Sequence, residues 1–132
     1  MSSKIEKILK ETRTIAVVGM SKKPHRAGFY VPEYLQRHGY RIVPVNPLLK
    51  EPVLGETAYP DLDSLPLPID LVLLFQRSEN VPPFVEAAIR IGAKSIWMQQ
   101  GIAHPEAARQ AEAAGLDVVM DACMMVEHRL RR

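Results

Sequence analysis

Short apolar runs alternate along this chain with stripes of helical period, and few folds are open to a chain so patterned. Thr14 to Gly19, Arg41 to Val45, Asp70 to Phe75, Ser95 to Met98 and Leu116 to Met120 are rich in Val, Ile and Leu and read as strands. Between them, Val31, Tyr34, Leu35 and His38 recur at i, i+3, i+4, i+7 before Gly39, and Pro32 is assigned to the first turn of that helix. Val81, Phe84, Val85 and Ala88 make a second stripe ending before Gly92, and an alanine-rich segment, Pro105 to Ala114, stops at Gly115. Residues 3–11 read as an opening helix whose Ser3-Lys4-Ile5-Glu6 has capping-box spacing, and the end from Met124 reads as helical.

Strands alternating with helices of about ten residues predict an α/β fold, a doubly wound and mostly parallel sheet of five to six strands with helices on both faces. Asp70 to Phe75 is apolar on both faces and belongs at the centre. The proline-rich stretch 47–69 is expected to hold a short third strand near Thr57-Ala58-Tyr59 and one helical turn at Asp63-Ser64-Leu65. Right-handed crossovers then give the order 3-2-1-4-5, with the last strand on the outer edge.

Ligands in such sheets sit beyond the carboxyl ends of the strands, near the point where the order reverses. The ends here are Gly19–Ser21, Asn46-Pro47, Phe75–Ser78, Gln99–Gly101 and Asp121–Cys123. The first of them opens the loop Gly19-Met20-Ser21-Lys22-Lys23-Pro24-His25-Arg26-Ala27-Gly28. A helix N-terminus offers unpaired N–H groups and a positive dipole end, and Lys22, Lys23 and Arg26 add charge with no acid among them. That points to a ligand with several phosphates, set against a plain solvated loop capped by Ser21. The second glycine follows nine residues after the first, a longer loop than the G-x-G-x-x-G turn.

At the end of the second strand, NAD-binding domains place an acid for the ribose hydroxyls, and this chain has Asn46-Pro47, also a turn dipeptide. Arg77 is suited to pair with a phosphate, and Phe75 either flanks an adenine or is core. Ser78 or Asn80 is a candidate cap for the next helix. Gln99 and Gln100, before Gly101, offer amide groups, and Trp97 is read as core.

A chain of 132 residues fits a single domain, residues 1–132. A net charge of +2 gives no argument for nucleic acid, so the basic cluster reads as local to one anionic ligand. With Cys123 the sole cysteine, no intrachain disulfide forms; this and the lack of a signal-like start lead to the expectation of a cytoplasmic protein. The longest apolar run, Leu71 to Phe75, is too short for a bilayer. No C-x-x-C, H-E-x-x-H or G-x-S-x-G spacing occurs, so neither a metal site nor a catalytic set is expected, and His104 reads as a capping or surface residue.

Val17-Val18-Gly19-Met20-Ser21, Val45-Asn46-Pro47, Phe75-Gln76-Arg77-Ser78, Trp97-Met98-Gln99-Gln100-Gly101 and Asp121-Ala122-Cys123 resemble, in order, the small CoA-binding domain proteins. That family is similar to the N-terminal CoA-binding domain of the succinyl-CoA synthetase alpha subunit. The resemblance implies a Rossmann-like fold that binds coenzyme A or an acyl-CoA. It implies the pyrophosphate near Gly19, Met20, Ser21 and Arg26, the adenine end near Asn46 and Pro47, and Phe75, Gln76, Arg77 and Ser78 lining the cleft. The chain has no counterpart of the ligase's phosphohistidine domain, and Ala122 stands where the family often has a basic residue. The expectation is therefore binding without catalysis. A nicotinamide oxidoreductase and a CoA-site subunit of a separate ligase chain are the alternatives. Expected partners are CoA or acyl-CoA, with a homodimer or a ligase chain as further candidates, and neither nucleic acid nor membrane.

Overall fold

The computed structural model describes residues 3–132, Ser3 by its backbone alone. The capping role expected of the Ser3 side chain lies outside the described residues. The elements run α1 (Ser3–Glu11), β1 (Thr14–Val18), α2 (Ala27–Arg37), β2 (Arg41–Val45), β3 (Leu71–Leu74), α3 (Val81–Arg90), β4 (Ser95–Met98), α4 (Pro105–Ala113), β5 (Asp117–Val119) and α5 (Met124–Arg129). The five strands form one sheet in the order β2-β1-β3-β4-β5, with every pairing parallel. The expected third strand is reduced to one residue: Tyr59 bridges Val45 beyond the outer edge of β2. Its N–H donates to Pro44 O at 3.0 Å and its carbonyl accepts from Asn46 N at 2.9 Å. Pro60 follows at once and has no N–H to extend the ladder.

Successive strand residues point to opposite faces, and both faces are apolar because both are covered. Ile15, Val17, Ile42, Leu71, Leu73, Trp97 and Val119 pack with Ile8 of α1, Val31 and Leu35 of α2 and Met124 of α5. Ala16, Val18, Val43, Val45, Val72, Leu74, Ile96, Met98 and Val118 pack with Val81, Val85 and Ala88 of α3 and Ala107 and Ala111 of α4. Trp97 is fully buried, and its Nε1 donates to Ala122 O at 2.8 Å, so the indole is core as its strand position predicts.

Helix α2 begins earlier than the apolar stripe indicated. Pro32 is therefore its sixth residue and lies inside the helix rather than in its first turn. A proline there leaves the carbonyl four residues back without its helical donor. That carbonyl belongs to Gly28, and it accepts from Ser21 N at 3.1 Å. The helix bond lost at Pro32 is thus replaced by one that ties down the loop after β1. Neither Ser78 nor Asn80 caps α3 with its side chain: Asn80 occupies the cap position with no side-chain bond, and Ser78 Oγ instead accepts from Ala103 N at 3.0 Å. His104 does cap α4, its Nδ1 accepting from Ala107 N at 3.1 Å.

Helix α5 returns across α2 through an aromatic cluster. Tyr34 Oη lies 2.8 Å from His128 Nδ1, and the rings of His38 and Tyr40 stand 5.0 and 5.9 Å from that of His128. Burial, then the neighbouring His38 and Arg132, hold the His128 pKa below its ordinary value of 6.5. As pH falls, the unfolded chain takes up this proton before the folded one does. Stability is therefore expected to fall as pH drops through about 6.5 and to level off below the folded pKa. Urea midpoints at pH 8 and pH 5 read this directly; His128→Gln should flatten the difference, and an unchanged slope would assign it to another group.

Candidate functional site

Gly19 ends β1 at φ +85°, a conformation that L side chains rarely adopt. A Cβ placed there would also collide with the carbonyl oxygen of Phe75 and stand 3.1 Å from Nε2 of Gln76. Gly19 thus lets two adjacent strand ends approach closely and lets the chain turn out of the sheet. At the other end of the loop, a Cβ on Gly28 would meet the Gly19 carbonyl oxygen at 3.0 Å. The two glycines therefore bring the start of α2 against the end of β1.

The loop between them is braced from within the fold. Asn46 Nδ2 donates to Met20 O at 3.0 Å, while Asn46 Oδ1 accepts from Leu48 N at 2.9 Å. Both ends of the Asn46 amide are thus engaged in holding loops. Met20 is fully buried, backbone included. Ser21 Oγ accepts from Lys23 N at 3.0 Å and keeps its hydroxyl hydrogen to donate elsewhere. Replacing Asn46 by alanine removes both bonds and leaves the buried Met20 carbonyl unpaired. The expected loss is about 1–3 kcal/mol, read from urea denaturation, with binding at the loop weakened alongside; unchanged stability would mean that the loop is held by its other bonds.

Electrostatics single out the start of α2. Arg26 is the residue before its first turn and makes no side-chain cap, and that turn holds no acidic residue. Among the described residues, the N–H groups of Ala27 and Gly28 have no acceptor. Lys22, Lys23 and Arg26 are exposed and make no ion pair among the described residues. Cations beside a positive helix end are unfavourable by themselves. By contrast, α4 starts with the His104 cap and with Glu106 in its first turn. An anion over the start of α2 would satisfy the free donors and neutralise the cations together.

A cleft of about 190 Å³ adjoins this loop, lined by Ala27, Tyr30, Phe75, Gln99, Ile102 and Cys123 among others. Gln76 and Phe75 are half-buried beside Gly19, and Arg77 is exposed. Gln100 is exposed at the cleft, and Gly101 N donates to Asp121 Oδ1 at 2.7 Å, so that loop is held by β5. Pro47 is exposed, and Leu48 beside it is 84% exposed. Larger hollows of about 380 and 540 Å³ lie elsewhere, one at the amino ends of the strands and one between α1 and α5. Topology rather than size favours the smaller cleft, because ligands in doubly wound sheets bind at the carboxyl ends.

The fold therefore brings together the loop from Gly19 to Arg26, the turn at Phe75 to Ser78 and the turn at Gln100 and Gly101; Asn46 and Pro47 flank the loop on the β2 side. Sequence reasoning passed over Ala27, Tyr30 and Ile102. Ala27 fell inside the stretch read as loop, and Tyr30 lies just before the apolar stripe of α2, which begins at Val31. Among the described residues no helix is long and apolar enough to cross a membrane, and no group of three or more His, Cys, Asp or Glu is placed to hold a metal ion.

Comparison with known proteins bears on this site. A family model described as CoA binding domain matches residues 13–129. The uncharacterized protein YneT of Bacillus subtilis (strain 168) is 39% identical over 126 residues, covering 96% of this chain and 93% of that protein. The solved structure of a hypothetical protein from Pyrococcus horikoshii OT3 superposes with a TM-score of 0.93 at 41% identity, covering 98% of this chain and 91% of that one. The apo dinucleotide forming acetyl-coenzyme A synthetase 1 of Ca. Korarchaeum cryptofilum matches with a TM-score of 0.70 at 25% identity, over 80% of this chain and 25% of that chain.

Proposed function

This chain belongs to the CoA binding domain family, and from that premise we propose that it binds coenzyme A or an acyl-CoA at the carboxyl ends of its strands, without chemistry of its own. The observation that carries this reading is the start of α2, uncapped and lacking acids, with free N–H groups and unpaired cations. Family membership supports CoA as the ligand; the arrangement of that ligand is inferred from the residues.

The pyrophosphate is assigned to the turn Gly19, Met20 and Ser21, with Lys22 and Arg26 supplying charge. The adenine end is assigned to Asn46 and Pro47, where exposed Leu48 offers an apolar surface to a purine. Phe75, Gln76, Arg77, Ser78, Gln100 and Gly101 line the path between loop and cleft. Since the Asn46 amide is already engaged, its part is to hold the loop rather than to contact the base. Residues 1–132 are assigned to one domain of this kind.

Isothermal titration of ligand-stripped protein with CoA, NAD(H), NADP(H) and ATP tests the reading. Saturable binding is expected for CoA and not for the nicotinamide cofactors. Binding of NAD(P)(H) with none of CoA would overturn it. A second reading, in which the chain supplies the CoA site to a separate ligase chain, is favoured by its likeness to a quarter of the acetyl-coenzyme A synthetase chain. Recovery of a ligase chain by affinity capture supports that reading, and a solitary protein under the same conditions counts against it.

A further inference from the structure

Gln99 is buried to within 4% of full enclosure at the end of β4. Its Oε1 accepts from Met124 N at 3.0 Å. A backbone N–H can only donate, so the orientation of the amide is settled and Nε2 points away from α5. Gln99 lines the 190 Å³ cleft, and its Nε2 has no acceptor among the described residues. That nitrogen is not among the enclosed polar atoms left without a partner, so it keeps contact with solvent and is free to donate to a ligand in the cleft. The sole cysteine, Cys123, lines the same cleft and is partly exposed there.

The rest of the lining is largely apolar, with Ala27, Val31, Phe75 and Ile102. The cleft is smaller than the ~300–1,000 Å³ pockets that enclose whole cofactors. It suits a thin arm of alternating methylene and amide groups, not a nucleotide. We infer that the cleft takes the thiol end of coenzyme A, that Gln99 Nε2 donates to a carbonyl of that arm, and that Cys123 is a site of mixed-disulfide formation with CoA. The inference rests on the CoA reading above and adds the direction of the arm and the reactive residue.

The reaction needs an oxidised partner, which is CoA disulfide. The Cys123 thiolate attacks one sulfur of that disulfide. A bond forms between Cys123 Sγ and the CoA sulfur, the original S–S bond breaks, and a CoA thiolate leaves with the electron pair and takes up a proton. Cys123 is oxidised and one CoA is reduced. Reduced CoA or another thiol reverses the step.

The test compares CoA disulfide with glutathione disulfide at equal concentration on folded protein, following intact mass with time. Since the chain has one cysteine, a mass increase reports Cys123. The CoA adduct is expected to form about tenfold faster or more, because binding raises the effective concentration of the attacked bond. Acetyl-CoA, which has no disulfide to exchange, should slow it. The preference should vanish in denaturant, and Arg26→Glu should shrink it. Equal rates in folded protein, or no CoA adduct in protein that binds CoA by calorimetry, would overturn the inference and leave the CoA reading standing. Absence of CoA binding by calorimetry would overturn both.

Discussion

Gly19→Ala is expected to cost about 2–5 kcal/mol of stability and to abolish CoA binding. Two effects add at this position. A non-glycine residue at positive φ costs roughly 1–2 kcal/mol, and forcing a methyl against packed backbone costs about 1–3 kcal/mol more. The neighbour that would have to yield is the Phe75 carbonyl, part of the backbone that follows β3, and not a flexible side-chain end. Any relaxation therefore moves the β1 and β3 ends apart, and with them the loop over α2. Urea denaturation reads the first effect and calorimetry the second. A variant that folds normally and binds CoA as before would refute the role given to this turn.

The double substitution Lys22→Glu with Arg26→Glu is expected to weaken CoA binding by about 100-fold or more. A hydrogen bond to a charged group contributes about 1.5–3 kcal/mol, and reversal adds repulsion to what deletion removes. Both side chains are exposed and make no ion pair among the described residues, so the fold loses little with them. Glutamates beside the start of α2 suit the helix dipole better than the native cations do. The urea midpoint should therefore hold or rise while affinity falls, which separates loss of a site from loss of the fold. Binding to the native protein should also weaken with added salt. Unchanged affinity in the variant would place the phosphates elsewhere.

Much of this was legible in the chain itself. The period of the apolar residues distinguishes strand from helix wherever burial is continuous, which is why β2 at Arg41–Val45 and β4 at Ser95–Met98 coincide with their apolar runs. The turn at Gly19 was legible for a second reason: a glycine directly after an apolar run marks where the chain leaves the sheet. The start of α2 was not legible, because Ala27, Gly28 and Tyr30 carry no apolar stripe and the helix there is stabilised by packing against the loop. The third strand at Thr57 to Tyr59 was expected at the right edge but with too great a length, since the prolines around it limit its ladder to one bridge.

Fold class and strand succession were already set by the pattern of the chain. Those follow from local periodicity and from handedness rules that hold for any chain of this pattern. What individual polar groups do depends on the assembled fold. Asn46 turned out to brace Met20, Ser78 to hold Ala103 rather than cap α3, and Gln99 to give its oxygen to the start of α5. Gly28 gives its carbonyl to Ser21 because Pro32 cannot use it. A polar side chain satisfies whichever partner the fold brings within about 3 Å. That partner is set by residues distant in the chain, so no local pattern can announce it.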